Sequence, residues 1–451
     1  MKLARLLRGG RAQYASALGI RLVGAGLMFL MNVWLARAAG PQTYGIVAVG
    51  LAWGLFAMNV GSLGFSISSI RFVAAYTHAG RDGQLRSFLT TAILMTLAGG
   101  VLGGLAASGA GFFGAATGAL KAEASRAYYM AVPLILIFPL LDLTGGIQRG
   151  FDGVARALIP YNLVFPILVI ATTACAVFLR NPVVDLGTAF LCLYAGAVGA
   201  ILLAVGFLMG RWPHARRGDP AVARSEWIKT SLATLPSSAS SFAIRQIDAI
   251  ILSFFVAPTE IAFYWLAGRI VRFASFGLQA AHMVASPEFA RLRQEAEALS
   301  NDDIRNSPEH RAKMQAAASR AARATAVMAL PSILLLAVAS PYLLEFAGAS
   351  FQGGLPIIYI MLCGEAFNVF CGPNAALMNM TGLQNELAKI SILVIVAYAL
   401  LIVVGAATFG IVGAAAAVSA TIILQNLAVS RRVYRAFGVN TTMLSRAVWN
   451  A

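Results

Sequence analysis

The sequence predicts an all-α polytopic membrane protein of about twelve transmembrane helices, on three observations. Of its 451 residues, 59% are apolar and only 12% are charged, whereas soluble domains carry roughly a quarter charged residues. The apolar residues fall in separate runs of about 20, each long enough to cross about 30 Å of hydrocarbon as a helix. The basic residues gather in short segments between those runs. The formal charge of +16, from 34 Lys and Arg against 18 Asp and Glu, therefore reads as a positive-inside bias and not as a nucleic-acid footprint. Secreted, nucleic-acid-binding and ordinary cytosolic classes are excluded.

Taken in order, the predicted spans run Tyr14 to Leu35, Tyr44 to Ile70, Leu85 to Ala107, Ala127 to Ile147, Ala157 to Leu179 and Leu186 to Met209. After a basic segment they continue with Trp227 to Val256, Ile261 to Ser286, Ala321 to Ser340, Leu355 to Ala376, Leu387 to Phe409 and Ile411 to Ser430. The first follows Lys2, Arg5, Arg8 and Arg11 like a secretory signal, but Arg21 interrupts its apolar core and eleven spans follow, so it reads as an uncleaved helix. Alternate loops carry 25 Lys and Arg on one side against four, Arg37, Lys121, Arg126 and Arg180, on the other. That asymmetry predicts both termini in the cytoplasm.

The longest inner loop, about Phe289 to Arg320, reads as a surface amphipathic segment, and the longest outer one, about Ser108 to Arg126, is mostly Gly and Ala. Neither is long enough to hold a catalytic domain. Cys175, Cys192, Cys363 and Cys371 lie inside apolar runs without metal or disulfide spacing. A shift of 217 sets Pro41 on Pro258, and a shift of 229 sets Gly153 on Gly382. With an even span count these echoes predict two parallel six-helix halves. The halves are an N-lobe over 1–210 and a C-lobe over 230–451, joined by a basic linker, 211–229.

The stretch Leu35-Ala36-Arg37-Ala38-Ala39-Gly40-Pro41-Gln42-Thr43-Tyr44-Gly45 and the segment Ile70-Arg71-Phe72-Val73-Ala74 resemble the N-terminal signature of bacterial polysaccharide and O-antigen flippases. Gly150-Phe151-Asp152-Gly153 resembles the turn between that family's fourth and fifth spans. The family shares a superfamily with the multidrug and toxin extruders and the lipid II flippases. The resemblance implies two six-helix lobes in a V around a central cavity, in the bacterial inner membrane. The implied role lies in the biosynthesis of a surface polysaccharide such as lipopolysaccharide O-antigen or exopolysaccharide. Polysaccharide polymerase and chain-length machinery are the implied partners.

Charged residues inside spans are the candidate site, because an Arg at mid-membrane costs about 2.5 to 3.5 kcal/mol even on a lenient scale. In the eighth span Trp265, Arg269, Arg272, Phe276 and Gln279 share one face of a continuous helix. Two guanidinium groups flanked by aromatic rings suit phosphate and sugar, although pairing with acids on neighbouring helices would also explain them. In the seventh span Ser238, Ser241, Arg245, Asp248 and Leu252 share a face, with Arg245 and Asp248 close enough to neutralise each other. In the first span Arg21, Gly24, Met28 and Asn32 share a face, where the small residue leaves room for a ligand or for another helix. Arg71 reads as interfacial. Asp142, Asp248 and Glu365 are candidate counter-ions or cation-coupling groups, with Asn368 one turn from Glu365. Pro133, Pro139, Pro166, Pro236, Pro356 and Pro373 are candidate bending points. His282 reads as structural.

The resemblance implies transport of a lipid-linked oligosaccharide, with the polyprenyl tail left in lipid and membrane lipids as surroundings, and the intramembrane balance of five Arg against three acids predicts that this cargo is anionic. The alternative is a cation-coupled multidrug exporter of the same fold, which should have an acidic cavity. A polymerase or glycosyltransferase would need acidic, His or Arg clusters on long loops or a nucleotide-sugar domain, and none is present. No enzyme activity, cofactor, metal or nucleic acid is expected.

Overall fold

A computed structural model places a helix at each of the twelve predicted span positions, and among the described residues there is no strand. It describes residues 2–179, 183–213, 221–296 and 307–443, without the side chains of 2–15, 122, 221–223, 236–246, 276, 280, 283 and 284. Eight helical segments among these are long and apolar enough to cross a membrane. Two of the eight hold a pair of predicted spans each. Helix α1 (Lys2–Val60) breaks at Gly40, whose φ of 73° lies in the region that favours glycine. In a straight helix the side chains of Asn32 and Tyr44 would be about 18 Å apart. Instead the Tyr44 hydroxyl donates to Asn32 Oδ1 at 2.9 Å, so the chain doubles back at Gly40.

The remaining elements of the first unit are α2 (Phe65–His78), α3 (Asp82–Ala116), α4 (Ala122–Met130), α5 (Val132–Gly150) and α6 (Val154–Ile159). A π-helical turn at Pro160–Val164 leads into α7 (Phe165–Leu179), followed by α8 (Leu186–Met209) and α9 (Ala221–Leu252). Helix α3 runs to Ala116, so most of the predicted outer loop is helix. Pro133 and Pro356 do not bend anything: both stand in a first helical turn, where the missing N–H is no loss. Breaks fall at Gly40, at Gly410, at the π turn, between Val271 and Ala274, and at Gly372–Pro373, the last on a predicted bending point.

Contacts divide the chain into Met1–Ala262 and Phe263–Ala451, with α9 in the first unit. The cause is the packing of α9. Trp227 is fully buried among Phe65, Phe72, Phe88 and Ile147, and its indole N–H donates to the Tyr76 hydroxyl at 2.8 Å. Ser231 meets Ser68 hydroxyl to hydroxyl at 2.6 Å, and the Tyr128 and Ser253 hydroxyls meet at 2.6 Å. Elsewhere in this unit helices cross on glycine. A Cβ on Gly146 would lie 2.0 Å from the Ser66 carbonyl oxygen, and one on Gly99 2.2 Å from that of Gly61. Without a hydrophobic drive between helices in lipid, such close packing holds them together.

In the second unit, α10 (Pro258–Val271) begins just before the division, and α11 (Ala274–Glu295), α12 (Pro308–Ala347), α13 (Leu355–Cys371), α14 (Asn374–Met380) and α15 (Gln384–Phe437) follow. Helix α15 doubles back at Gly410 (φ 59°). Its Glu386 therefore meets Arg432 of the same helix in a two-pronged ion pair, the Nη2–Oε1 prong at 2.6 Å. Helices α11 and α12 extend beyond the predicted spans, and their ends bury Phe289, Met314 and Ala317 against Leu377, Met378, Val433 and Phe437. The predicted amphipathic surface segment is thus a pair of packed helix ends on either side of 297–306, which lie outside the described residues.

Two stability measurements check this packing. Gly146→Ala should cost about 1 to 3 kcal/mol by overpacking, whereas Gly26→Ala, which meets nothing within 4 Å, should be neutral or stabilising by up to about 1 kcal/mol; thermal unfolding in detergent reads both. Asp185 caps α8, accepting from the backbone N–H groups of Gly187 and Thr188 at 3.0 and 3.3 Å. Hydrogen bonds from the Thr188 side chain and these amides hold its carboxyl below the usual range. A depressed carboxyl contributes stability above the ordinary aspartate value of about 3.9 and loses it as pH falls through the folded value. Asp185→Ala should lower stability by about 1 kcal/mol at pH 7, and the gap to the native chain should close on acidification below about pH 3.9.

Candidate functional site

The charged groups of the apolar helices are placed very differently in the two units. In the first, Arg21 is exposed on α1, but the face it was predicted to share turns into the bundle. A Cβ on Gly24 would lie 2.7 Å from the Asn162 side chain, in the π turn. The small residue therefore makes room for another helix. Asn32 is 3% exposed, accepts from Tyr44 and donates to the Met28 carbonyl at 2.7 Å. It closes the hairpin at Gly40 and does not line an open surface, which corrects its sequence assignment. Of that face Arg21 is exposed and Met28 half-buried.

Asp142 on α5 faces the hydroxyls of Ser62 and Ser66, within reach of the positive charge of Arg149. The Ser66 hydroxyl also lies 3.1 Å from the Asp142 carbonyl oxygen. The glycine contact of Gly146 with Ser66 one turn away brings α2 and α5 close enough for this. In α9, Asp248 is half-buried and accepts from the N–H of Ala249 at 2.9 Å. The side chains of Arg245, Ser238, Ser241, Pro236 and Phe276 lie outside the described ones.

In the second unit the predicted stripe is not continuous. Helix α10 ends at Val271 and α11 begins at Ala274, with Arg272 and Phe273 in a turn. The Phe273 N–H reaches the Ile270 carbonyl and that of Ser275 reaches Arg272. That i to i+3 pattern shifts the helical phase, so Gln279, which is exposed, no longer continues the line of Arg269 and Arg272. Both arginines close the C-terminal end of α10, where a cation is favoured by the helix dipole. The Arg269 guanidinium lies 3.9 Å over the indole ring of Trp265, which is itself buried, and Arg272 Nε donates to the Gly268 carbonyl at 3.4 Å.

Glu365 on α13 is half-buried. Its Oε1 accepts from the Ser275 hydroxyl at 3.2 Å and its Oε2 from Asn368 Nδ2 at 3.3 Å. Asn368 Oδ1 in turn accepts from Asn426 Nδ2 at 3.0 Å, and Asn426 Oδ1 accepts from Asn374, which reaches the Ser430 hydroxyl at 2.9 Å. Among the described residues Glu365 makes no ion pair. Its hydrogen-bond donors are a hydroxyl and an amide, both neutral. Such a carboxylate keeps lone pairs for a proton or a small cation. The amides behind it fix its orientation, and do not pass protons along.

Sequence reasoning missed Ser275, Asn374, Asn426 and Ser430, and Ser62 and Ser66 beside Asp142. Asn374 and Asn426 were visible as carboxamides inside apolar runs, while the serines carried no signal. The two acids also stand at equivalent places: Asp142 on the predicted fourth span and Glu365 on the tenth, each beside a serine of the second or eighth.

A family model described as polysaccharide biosynthesis protein matches residues 12–293. No curated protein matches the sequence. Among solved structures, the chain is similar to a multidrug resistance MATE family transporter of the MOP superfamily in an inward-facing conformation, at 14% identity and a TM-score of 0.72, over 94% of this chain and 98% of that one. It is also similar to the lipid II flippase MurJ in an inward closed conformation, at 15% identity and a TM-score of 0.68, over 94% and 87%. A MOP superfamily transporter from Pyrococcus furiosus matches at 13% identity and a TM-score of 0.60, over 94% and 95%. At these identities the likeness carries the fold alone.

The amide chain makes a separable prediction. Asn426→Leu strands Asn368 Oδ1, while Asn374 Nδ2 keeps the Ser430 hydroxyl, and should cost about 1 to 3 kcal/mol, whereas Glu365→Gln keeps an acceptor for Ser275 and should unfold within a few degrees of the native chain. Thermal unfolding of both variants in detergent checks it.

Proposed function

The chain belongs to the polysaccharide biosynthesis protein family, and from that premise we propose that it is a flippase for an anionic, lipid-linked oligosaccharide. Its substrate is a glycan repeat on a polyprenyl diphosphate, carried from the cytoplasmic to the outer leaflet of the bacterial inner membrane. The observation that carries this reading is the half-buried guanidinium of Arg269, stacked on a buried indole in an apolar helix. A guanidinium binds a phosphate oxygen pair bidentately, and the buried ring holds this one in place. Arg272 on the same helix end, Arg21, and Arg245 from its sequence position make up the rest of a cationic path, with Gln279 as a neutral hydrogen-bonding group.

In this mechanism the arginines hold the diphosphate or acidic sugars in a water-filled cavity while the polyprenyl tail stays in lipid. Two lobes, 1–210 and 230–451, joined by 211–229, alternate in exposing the cavity to each side. Glu365, with Asp142 and Asp248 as further candidates, takes up the coupling cation: neutralising a carboxylate held by Ser275 and Asn368 weakens both bonds and loosens α13 from α11. Both termini lie in the cytoplasm on the basic-residue count of the loops. The polymerase and chain-length machinery of the same polymer are its partners. The reading supposes transport without covalent chemistry, in line with the transporters it resembles in fold.

A cation-coupled multidrug exporter is the second reading, and one feature favours it: Glu365 has neutral donors and no guanidinium partner among the described residues. The two separate in a strain lacking its own flippase. Arg269→Ala with Arg272→Ala should reduce surface polysaccharide at least tenfold with the protein still in the membrane, and Glu365→Gln should reduce it less. Full polysaccharide with both arginines gone, together with resistance to cationic dyes that depends on Glu365, would contradict the flippase and support the exporter.

A further inference from the structure

In the first unit, the turn between α5 and α6 and the second residue after α8 border an open recess of about 220 Å³. Ser16 of α1, Asp152, Gly153, Arg156 and Arg211 line it. Ser16 stands at the start of the first predicted span, and the other positions follow or precede spans, on the side that carries the excess of Lys and Arg, which is the cytoplasmic side by the positive-inside rule. None of them belongs to the intramembrane arginines considered above.

Three features make the recess a built one. Arg211 is fixed from two directions: its Nη1 donates to the Phe151 carbonyl, and its guanidinium lies 5.8 Å from the centre of the Phe151 ring. Arg156 and Arg211 are exposed, and among the described residues neither forms an ion pair with Asp152 or any other acid. The turn itself is tightly determined, with the Gly153 N–H on the Gln148 carbonyl at 2.8 Å and the Asp152 N–H on Arg149 at 3.1 Å. It holds Asp152 at a φ of 59°, a left-handed conformation uncommon for a residue other than glycine.

Beneath the turn lies an independent sign of a missing partner. Gln148 is 1% exposed, and among the described residues neither its amide nitrogen nor its amide oxygen has a hydrogen-bond partner. That oxygen would stand 3.2 Å from a Cβ on Gly153, so the amide faces the glycine that lines the recess. A buried amide left unsatisfied is costly, and native proteins nearly always satisfy it from chain, water or ion.

We propose that this recess binds an anionic phosphate group, that of a phospholipid headgroup in the cytoplasmic leaflet. Two guanidinium groups, one of them fixed, supply the fork geometry that phosphate oxygens fit, and basic pockets between helices on this side of a membrane take anionic lipid heads. The Asp152 carboxylate at the rim opposes the anion and sets the affinity below what the arginines alone would give. The site is independent of what the protein carries.

Native mass spectrometry of the full-length protein, released from detergent, tests this with three probes: dioleoyl phosphatidylglycerol, dioleoyl phosphatidylcholine and inorganic pyrophosphate. Phosphatidylglycerol should bind with roughly tenfold preference over phosphatidylcholine. Arg156→Gln with Arg211→Gln should remove the preference, and Arg126→Gln, on the opposite side, should keep it. Asp152→Asn should strengthen it, a gain that misfolding cannot mimic. Pyrophosphate binding that needs the same arginines would support the phosphate site with a soluble diphosphate as its source. Preference that survives loss of both arginines, or no arginine-dependent binding of any probe, overturns the proposal.

Discussion

Every polar group placed in hydrocarbon has to find its partner inside the protein, and the rest of this structure depends on that obligation. For the backbone it leaves helices as the form of the spanning segments. For side chains it dictates pairs. Asn32 with Tyr44 closes the first hairpin, Ser68 with Ser231 and Tyr76 with Trp227 fasten α9, and Glu365 reaches Ser430 through three asparagines. These bonds bring together positions far apart in the chain, so they act as fasteners between helices.

Glycine makes the fasteners reachable. A neutral or charge-assisted hydrogen bond needs its atoms within about 3 Å, and two helices carrying ordinary side chains stand 8 to 10 Å apart axis to axis. Gly146 against Ser66, Gly364 against Ser419 and Gly64 against Ser231 remove the intervening Cβ atoms. The carboxylates lie beside two of these contacts: Asp142 one turn from Gly146, and Glu365 next to Gly364. Close packing and the polar groups therefore share the same stretches of α5 and α13. A substitution that opens the packing there also displaces the carboxylate.

The span positions were legible because apolar length is set by bilayer thickness and needs no neighbour to decode. The hairpins at Gly40 and Gly410 could be placed for the same reason. Periodicity failed where it assumed an unbroken helix: the turn at Arg272 and Phe273 sits inside an apolar run and has no Pro or Gly at its centre to announce it. Burial failed similarly for Asn32, since a shared helical face does not say whether that face meets water, lipid or another helix. Partners such as Ser275 and Ser62 were invisible because a serine in a membrane helix often bonds its own backbone. The recess at Arg156 and Arg211 lay in residues that the charge count had read only as topology signals.

The account rests on a cationic site at the end of an apolar helix. Arg269 lies over the Trp265 ring in the last turn of its helix, so the fold sets the direction of its guanidinium. Liposomes containing the purified protein and a fluorescent polyprenyl-diphosphate oligosaccharide test this most directly, by following leaflet exchange in the native chain and in the Arg269→Ala, Arg272→Ala variant. The account predicts exchange of the anionic lipid by the native chain and its loss in the variant. Equal exchange by both, or movement of cationic dyes with none of the anionic lipid, would contradict it.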